Sequence, residues 1–400
     1  MTGATHQDSF TEAYWQDPHA AFAEARATCP VQEVDFEGGR TWLVTRYDDV
    51  KAGLTDERLA KDWRASLPPE EREAAPPGLP APMSHMLTSL DPPEHTRLRA
   101  LVTQAFTARR IATLRPRVAE LAEELLAELP EDETVDLVAR FAIVLPMVVI
   151  SELLGVPEID QAEFARLSTV LIDECPDEEL ARASAQMATY LEGLVAAKRA
   201  APDDALLSAL ISASDEGDRL SDLEIVAMAM LLLMAGHETT AVFITNAVRA
   251  LVDDDAARAR LSEPEKVPSL VEELLRWLSP ALNASLRFAT EDLEIGGVRI
   301  ARGESVTLST GAANRDPQRY PNPDALDPDR EVSGHVAFGH GIHRCLGAAL
   351  VRLEGEIALS TLFTRHPHLS IEADPGELTY RRSVHVHAPR TLPVRLGPRA

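Results

Sequence analysis

The sequence has few cysteines and few basic residues, and each shortage excludes a class of protein. Its three cysteines, Cys29, Cys175 and Cys345, are far apart among 400 residues, which excludes a disulfide scaffold and a Cys-x-x-Cys metal site. Lys and Arg total 39 and Asp and Glu total 64, so the formal charge is −25. A nucleic-acid-binding protein needs the opposite balance, so no nucleic-acid partner is expected.

Long hydrophobic runs are also missing. The longest apolar run, 225–236, spans twelve residues, which is too short for a bilayer and predicts a buried core helix. Residues 1–10 are polar and show no charged-then-apolar leader. With 45% hydrophobic and 26% charged residues the composition is that of a soluble globular protein. We therefore expect a cytoplasmic protein that makes no contact with a membrane.

Hydrophobic periodicity predicts a mainly helical chain. An alternating segment over 31–46 around Glu37-Gly38-Gly39 predicts a β-hairpin, and the segment 286–308 reads as strands. Between them, the Pro-rich segment 64–93 is typical of a lid or a binding loop. The predicted helices are 94–105, 108–129, 138–154, 160–174, 178–200, 204–213, 222–252, 254–261, 268–278 and 346–363.

No linker and no internal repeat divides the chain. Ser221, with Glu224 three residues later, predicts a capping box at the start of the long apolar helix 222–252. The simplest interpretation is one domain over residues 1–400, mainly α with small β-sheets in an α+β fold.

The segment 338–347, which reads Phe-Gly-His-Gly-Ile-His-Arg-Cys-Leu-Gly, concentrates the chemistry. Its glycines allow tight turns and the close approach of a flat ligand. Cys345 precedes a predicted helix, whose N-terminal N–H groups and dipole favour a thiolate over a thiol. A thiolate in that position is a suitable axial ligand for haem iron.

Two other interpretations of Cys345 remain open on these residues alone. A single cysteine is often a small buried hydrophobe. A zinc ion could instead be bound by His335, His340, His343 and Cys345, although this spacing is not that of a zinc finger.

The segment 338–347 resembles the cysteine-ligand loop of the cytochrome P450 family, the haem-thiolate monooxygenases, at each defining position. The resemblance implies that Cys345 binds the iron of haem b, with Phe338, His343 and Gly347 in the same cofactor-binding loop. It also implies the family's fold, with a long central helix lying over the haem.

Ala235-Gly236-His237-Glu238-Thr239-Thr240, inside helix 222–252, resembles the family's oxygen-activation motif. Gly236 removes side-chain bulk where O2 must lie, and with Ala235 it is expected to contact the cofactor. The Thr239 hydroxyl can bond to the carbonyl of Ala235, which loosens the helix. As neighbouring acid and alcohol, Glu238 and Thr239 are the expected catalytic pair for proton delivery.

Further motifs follow in the family's order along the chain. Glu273 and Arg276 resemble its buried Glu-x-x-Arg pair, which is joined by an arginine of the meander, here Arg330, although Leu326 stands where Phe is common. The two haem propionates need cations. The expected donors are His95, Arg99, Arg287 and His343, whereas Arg97 is expected to be a solvated surface cation.

The resemblance also implies the reaction and the partners. One oxygen atom of O2 would enter a C–H bond of a small apolar substrate, with electrons from a separate ferredoxin and its reductase. From end to end the chain is similar to actinobacterial members that hydroxylate macrolides, other polyketides, steroids or secosteroids such as vitamin D. We expect a monomer. A basic patch for the ferredoxin is predicted at Arg109, Arg110, Arg115, Arg344 and Arg352.

The substrate pocket is expected to be apolar. By analogy it would be lined by the Pro-rich loop, by helices over 160–195 and by the stretch 282–285. Its expected residues are Met83, Met86, Leu87, Leu171, Ile172, Leu231 and Leu282. Two alternatives to hydroxylation remain: a same-fold enzyme that forms epoxides or couples phenols, and a non-catalytic haem sensor or carrier, which would not need Glu238 and Thr239.

Overall fold

The computed structural model describes residues 11–36, 39–76, 78–79, 81–172, 177–212, 214–215 and 218–399. The chain divides into two compact units. Unit 1 comprises residues 1–77, 272–345 and 379–389, and unit 2 comprises residues 78–271, 346–378 and 390–400. Cys175 and the predicted turn at Glu37-Gly38 lie outside the described residues.

Helices dominate the described residues, as the sequence predicts. The α-helices are α1 (Glu12–Gln16), α2 (Pro18–Thr28), α3 (Tyr47–Gly53), α4 (Pro69–Arg72), α5 (Glu94–Ala105), α6 (Ala108–Thr113), α7 (Arg115–Ala127), α8 (Val144–Leu154), α9 (Gln161–Ile172), α10 (Asp177–Ala200), α11 (Leu206–Ser212), α12 (Asp222–Val252), α13 (Asp255–Ala259), α14 (Val267–Leu278), α15 (Thr310–Asn314) and α16 (Ala348–Arg365). The expected mainly α fold with small β-sheets is therefore confirmed.

The strands are short and form small sheets. They are β1 (Val31–Phe36), β2 (Gly39–Val44), β3 (Leu59–Ala60), β4 (Thr134–Asp136), β5 (Ser214–Asp215), β6 (Asp218–Arg219), β7 (Arg287–Ala289), β8 (Leu293–Ile295), β9 (Val298–Ile300), β10 (Ser305–Leu308), β11 (Ser370–Ile371) and β12 (Pro393–Arg395).

Unit 1 is organised by a five-stranded sheet in the order β1-β2-β10-β7-β3. Strands β1 and β2 are antiparallel, with Val31 opposite Val44, which confirms the predicted hairpin. The predicted strand segment 286–308 supplies β7 to β10, and β8 and β9 form a hairpin of their own. Apolar residues from these strands and from α3 form a buried cluster that includes Val44, Val50 and Leu308.

A buried ionic network fixes the meander of unit 1. Glu273 and Arg276 are fully buried, and two hydrogen bonds of 2.6 and 2.7 Å join the guanidinium to the carboxylate. Arg330 Nε donates to Glu273 Oε1 at 3.1 Å, and Arg276 Nη1 donates to the carbonyl of Asn314 at 2.8 Å. The predicted three-residue network is confirmed, and it attaches the irregular segment around Asn314 and Arg330 to α14.

Helix α12 is the central helix of unit 2. Ser221 and Glu224 form the predicted capping box, and the helix spans the predicted residues 222–252. It packs against α8, α10 and α16. By length and composition α12 could cross a membrane, but 67% of its most apolar window is buried inside the protein, as in a core helix.

Two predicted helices are interrupted. The range 108–129 contains α6 and α7, because the chain turns at Leu114 and Pro116 lies in the first turn of the second helix. The range 138–154 begins with a π-helical turn over Val138–Ala142 before α8 starts. Pro146 explains the second interruption, because it has no N–H to donate to the carbonyl of Ala142.

Candidate active site

Cys345 lies at the end of a tightly closed loop in unit 1. The backbone N–H of Cys345 donates to the carbonyl of Phe338 at 2.8 Å, which ties the two ends of the loop together. The chain then passes Gly347, the N-cap of α16, so Cys345 stands two residues before the N-cap and three before the first helical residue. Phe338 is 9% exposed, whereas Cys345 is exposed. Cys345 is therefore accessible and closely precedes the N-terminus of α16 along the chain, a position in the sequence that favours a thiolate.

Two glycines give the loop its shape. Gly339 and Gly341 have φ values of 67° and 74°, a region that side chains disfavour. At Gly341 a Cβ atom would lie 2.8 Å from Cγ2 of Thr55 and 3.1 Å from the carbonyl oxygen of Leu54. Gly341 therefore serves both the turn and the close packing of the loop against the chain after α3.

The zinc interpretation of this loop is wrong for the residues described. They contain no group of three or more His, Cys, Asp or Glu side chains that could hold a metal ion. His335, one of the four suggested ligands, instead contacts Glu272 through Nε2 at 2.9 Å. Its Nδ1 accepts from the backbone N–H of Ala337 at 3.3 Å, so both ring nitrogens are used to hold the loop.

In unit 2, the middle of α12 has one open face. Residues 225–230 and 240–248 are buried, but the residues of a stripe between them are only partly buried or, at Ala235, exposed. Its members follow the helical spacing i, i+3, i+4, i+7 and i+8, and they are Leu231, Met234, Ala235, Glu238 and Thr239. An open stripe in the middle of a core helix suits a ligand, and it places the acid and the alcohol beside apolar side chains.

The Thr239 hydroxyl makes the predicted hydrogen bond to the preceding turn of the helix. Thr239 Oγ1 donates to the carbonyl of Ala235 at 3.2 Å, and Thr240 Oγ1 donates to the carbonyl of Gly236 at 3.2 Å. Two such bonds in succession compete for carbonyls of the helical ladder, but the backbone stays α-helical over Asp222–Val252. His237 points elsewhere: it is 1% exposed and its ring contacts the carbonyl of Leu233 at 2.8 Å.

Gly236 has a packing role that sequence reasoning did not foresee. A Cβ atom at this position would lie 3.0 Å from Cγ1 of Ile150 on α8, so the small residue permits close helix packing. The absence of a side chain at Gly236 therefore makes room for Ile150 of α8. The role of Gly236 toward O2 stays a prediction.

Glu354 is a buried acid that the sequence analysis missed. It is fully buried on α16, where burial raises the pKa of its carboxyl well above the ordinary value and the nearby Thr240 hydroxyl acts in the opposite direction. Burial therefore favours the protonated, neutral form of this carboxyl. The sequence does carry a signal for this burial, because Glu354 falls on the same helix face as the apolar residues Leu350, Leu353 and Ile357.

The predicted propionate donors occur in both units. In unit 1, Arg287 is 4% exposed and His343 is half-buried. In unit 2, His95 is 1% exposed and Arg99 is half-buried, both on α5. Arg97, expected to be a solvated cation, forms an ion pair with Glu224 of the α12 capping box.

The predicted pocket residues have mixed environments. Met86 and Leu87 are buried, and Leu231 belongs to the open stripe of α12. Leu282 packs in a core cluster with Phe22, so it serves the core of unit 1. The side chains of Leu171 and Ile172 lie outside the described residues.

Comparison with known proteins decides the family. The family profile described as Cytochrome P450 matches residues 147–392, more than half of the chain. The chain is 48% identical to vitamin D(3) 25-hydroxylase of Pseudonocardia autotrophica, over 100% of this chain and 98% of that protein. The chain is a cytochrome P450. It is an oxygen-inserting enzyme of that family, a haem-thiolate monooxygenase, and its cofactor is haem b.

Two further relatives cover nearly the whole P450 chain. The 6-deoxyerythronolide B hydroxylase of Saccharopolyspora erythraea is 42% identical, over 98% of this chain and 99% of that protein. The solved structure of the bacillaene polyketide synthase P450 PksS of Bacillus subtilis 168 has a TM-score of 0.90 and 34% identity, and covers 97% of this chain and 99% of that one. The expected P450 fold is confirmed.

The residues of the P450 fit the cofactor. Haem bound through a thiolate would supply an iron centre that activates O2. Of the cysteines that the structure describes, Cys345 is the one preceding a helix N-terminus on a glycine-shaped loop, and Cys29 instead donates its Sγ–H to the carbonyl of Val31. Arg287, a buried cation of the same unit, has the charge that a carboxylate of the cofactor requires.

Proposed function

We propose that this P450 hydroxylates a small apolar molecule of the polyketide, macrolide, steroid or secosteroid class. The observation that supports this proposal best is the open stripe of α12, where Leu231, Met234 and Ala235 lie beside Glu238 and Thr239. Apolar side chains bind such a substrate by the hydrophobic effect, and the acid and the alcohol supply protons next to it. The named activities of the relatives, on vitamin D(3) and 6-deoxyerythronolide B, agree in substrate class.

The cofactor-binding roles are assigned residue by residue. Cys345 is proposed as the iron ligand, in a loop completed by Phe338 and Gly347, whose backbone positions hold the thiolate beside the helix N-terminus. The proposed partners of the propionates are His95, Arg99, Arg287 and His343. Ala235 and Gly236 are proposed to contact the cofactor from α12. Residues 1–400 would thus serve as one functional domain.

Glu238 and Thr239 are proposed to move protons. The Thr239 hydroxyl gives its hydrogen to Ala235 O, so its oxygen lone pairs are oriented to accept a proton or a hydrogen bond from a ligand on the open stripe. Glu238 is half-buried, so it can exchange its proton with solvent and pass it on.

Electrons are proposed to come from a ferredoxin and its reductase. Arg109 and Arg344 are exposed and suit an acidic partner, and Arg110 and Arg352 are partly exposed. Arg115 is a weaker candidate, because it forms an ion pair with Glu356. We propose that the enzyme works as a cytoplasmic monomer and needs neither a membrane nor nucleic acid.

Thr239→Ala tests the proton role. With vitamin D(3) and 6-deoxyerythronolide B as probe substrates, the rate of product formation should fall about 100-fold, because a proton donor to the reaction is lost. Electron consumption should continue and appear as hydrogen peroxide. Thr239→Ser keeps the hydroxyl and should form nearly as much product per electron consumed as the wild type. If Thr239→Ala forms as much product per electron consumed as the wild type, the proposed proton role is wrong. A wild-type protein that binds haem but oxidises no tested substrate would instead favour a haem carrier.

A further inference from the structure

The C-terminal part of α14 holds the segment that leads into the Cys345 loop. Arg276 Nη1 donates to the carbonyl of Asn314 at 2.8 Å, and the hydroxyl of Ser279, just after the helix, accepts from Asn314 Nδ2 at 2.9 Å. Asn314 Oδ1 in turn accepts from the backbone N–H of Val336 at 2.7 Å. The start of the loop is therefore attached to α14 through a fully buried side-chain amide.

The next backbone amide of this segment is held by His335 and, through it, by the same helix. The N–H of Ala337 donates to His335 Nδ1 at 3.3 Å, so the neutral ring carries its hydrogen on Nε2. Nε2 donates that hydrogen to the carboxylate of Glu272 on α14 at 2.9 Å. The side chain of His335 is 6% exposed. A carboxylate on one ring nitrogen fixes the orientation of the ring and makes the other nitrogen a better acceptor.

These contacts continue to the proposed iron ligand. Phe338 follows Ala337 in the chain, and the centre of its ring lies 5.9 Å from that of His335. The carbonyl of Phe338 accepts from the backbone N–H of Cys345 at 2.8 Å. If the N–H of Ala337 were released, the carbonyl of Phe338 could turn and the backbone of Cys345 would follow it. His335 therefore lies between α14 and Cys345 in one chain of contacts.

We propose that His335, oriented by Glu272, is a positioning residue for the Cys345 thiolate and acts through the backbone of Ala337 and Phe338. The inference rests on the proposed function, in which Cys345 binds the haem iron. A hydrogen bond from the N–H of residue i+2 to the side chain of residue i is the pattern of an Asx turn, in which Asn or Asp supplies the acceptor. His335 makes the same bond to Ala337 and adds the bond to Glu272, for which Asn is too short.

His335→Phe tests the role, because it keeps an aromatic ring beside Phe338 and removes both hydrogen bonds. The measurement is the red-shifted Soret band of the reduced holoenzyme with carbon monoxide, which reports the thiolate, followed over time without denaturant. We expect His335→Phe to lose this band about tenfold faster than the wild type, since the ligand loses its supporting contacts. His335→Asn keeps an acceptor for the N–H of Ala337 and should lose the band at nearly the wild-type rate.

Glu272→Ala tests the same role without touching the ring. A ring that is no longer oriented should hold the N–H of Ala337 less well, so we expect the band to be lost about threefold faster than in the wild type. In a His335→Asn background the same substitution should add nothing, because Asn does not reach the carboxylate. Glu304→Ala is the matched control, since Glu304 is a partly buried glutamate of unit 1 that accepts from Trp42 Nε1 at 2.9 Å. It should leave the rate unchanged.

The inference is overturned if Glu272→Ala and, where it folds, His335→Phe lose the band at the wild-type rate. It is also overturned if Glu304→Ala, at a similar fall in the free energy of unfolding in urea, loses the band as fast as Glu272→Ala, since that pattern shows only a general loss of stability. In both cases the wild type keeps its red-shifted band, so the proposed function would stand. A wild type without this band would instead remove the proposed function itself.

Discussion

The Cys345 loop and the central segment of α12, residues 235–240, achieve functional geometry in different ways. The loop depends on backbone: two glycines at positive φ and the bond from Cys345 N–H to Phe338 O shape it. The α12 segment keeps helical backbone, and its special character comes from side chains that bond to the preceding turn and from one open face. The loop should therefore tolerate backbone changes poorly, and the helix should tolerate them better.

Gly341→Ala should have the largest effect on folding. The new Cβ atom would require the φ of 74° and would lie 2.8 Å from Thr55 Cγ2 and 3.1 Å from Leu54 O. We expect the free energy of unfolding to fall by about 2 kcal/mol or more, together with weaker haem retention. Denaturant unfolding and the haem content of the purified protein measure both effects.

Gly339→Ala is the matched control for this loop. It has a similar φ of 67°, but its Cβ atom would come no closer than 3.9 Å to His343 O, so only backbone strain is added. We expect the free energy of unfolding to fall by about 1 kcal/mol. Equal losses for the two variants would show that the contact of Gly341 with Thr55 and Leu54 is unimportant.

Glu354→Gln should change how stability depends on pH. In the folded wild type, burial raises the pKa of Glu354, so the folded chain retains a proton that the unfolded chain releases above its ordinary pKa. Stability from this group is present below the unfolded pKa and is lost as the pH rises towards the folded pKa. The variant lacks this loss, so its free energy of unfolding relative to wild type should increase as the pH rises above the ordinary pKa of a glutamate.

Urea unfolding at several pH values checks this prediction. A constant difference between Glu354→Gln and wild type over that range would mean that Glu354 does not change its protonation on folding. Activity offers a second comparison, since the amide can still contact Thr240 but cannot release a proton.

Gly236→Ala should have the smallest effect. Alanine favours a helix over glycine by about 1 kcal/mol, but its Cβ atom would press on Ile150 at 3.0 Å, and these contributions nearly cancel. Gly193→Ala on α10 is the control: apart from its chain neighbours and the backbone of its own helix, no described atom lies within 4 Å of the Cβ position, so the variant should be more stable by about 0.5 to 1 kcal/mol. Thermal unfolding distinguishes the two variants. If Gly236→Ala lowers the free energy of unfolding by more than about 2 kcal/mol, α8 cannot shift to accommodate the new methyl group.

Local signals explain which elements the sequence predicts. Helix α12 has its predicted bounds because the capping box at Ser221 is a contact within one turn, and α5 also starts and ends as predicted. Periodicity predicts one helix over 108–129, because the apolar residues keep their helical spacing across the turn at Leu114. The wrong continuous helix shows that periodicity alone does not locate a break.

The candidate site was predictable where a motif is contiguous. Cys345, the Thr239 bond to Ala235 and the Glu273 network all follow from short segments. Glu354 gives no signal of this kind, because the burial of a single charged side chain depends on elements distant in sequence, such as Thr240 of α12. Such positions become visible only when the tertiary contacts are known.

The central claim is that Cys345 supplies a thiolate to the haem iron. It is tested most directly by the difference spectrum of the dithionite-reduced protein with and without carbon monoxide. We predict a strongly red-shifted Soret band for the wild type, lost in Cys345→Ser, because thiolate ligation pushes electron density onto the iron. A wild-type band at the position of histidine-ligated haem, or a red-shifted band that persists in Cys345→Ser, would contradict the claim.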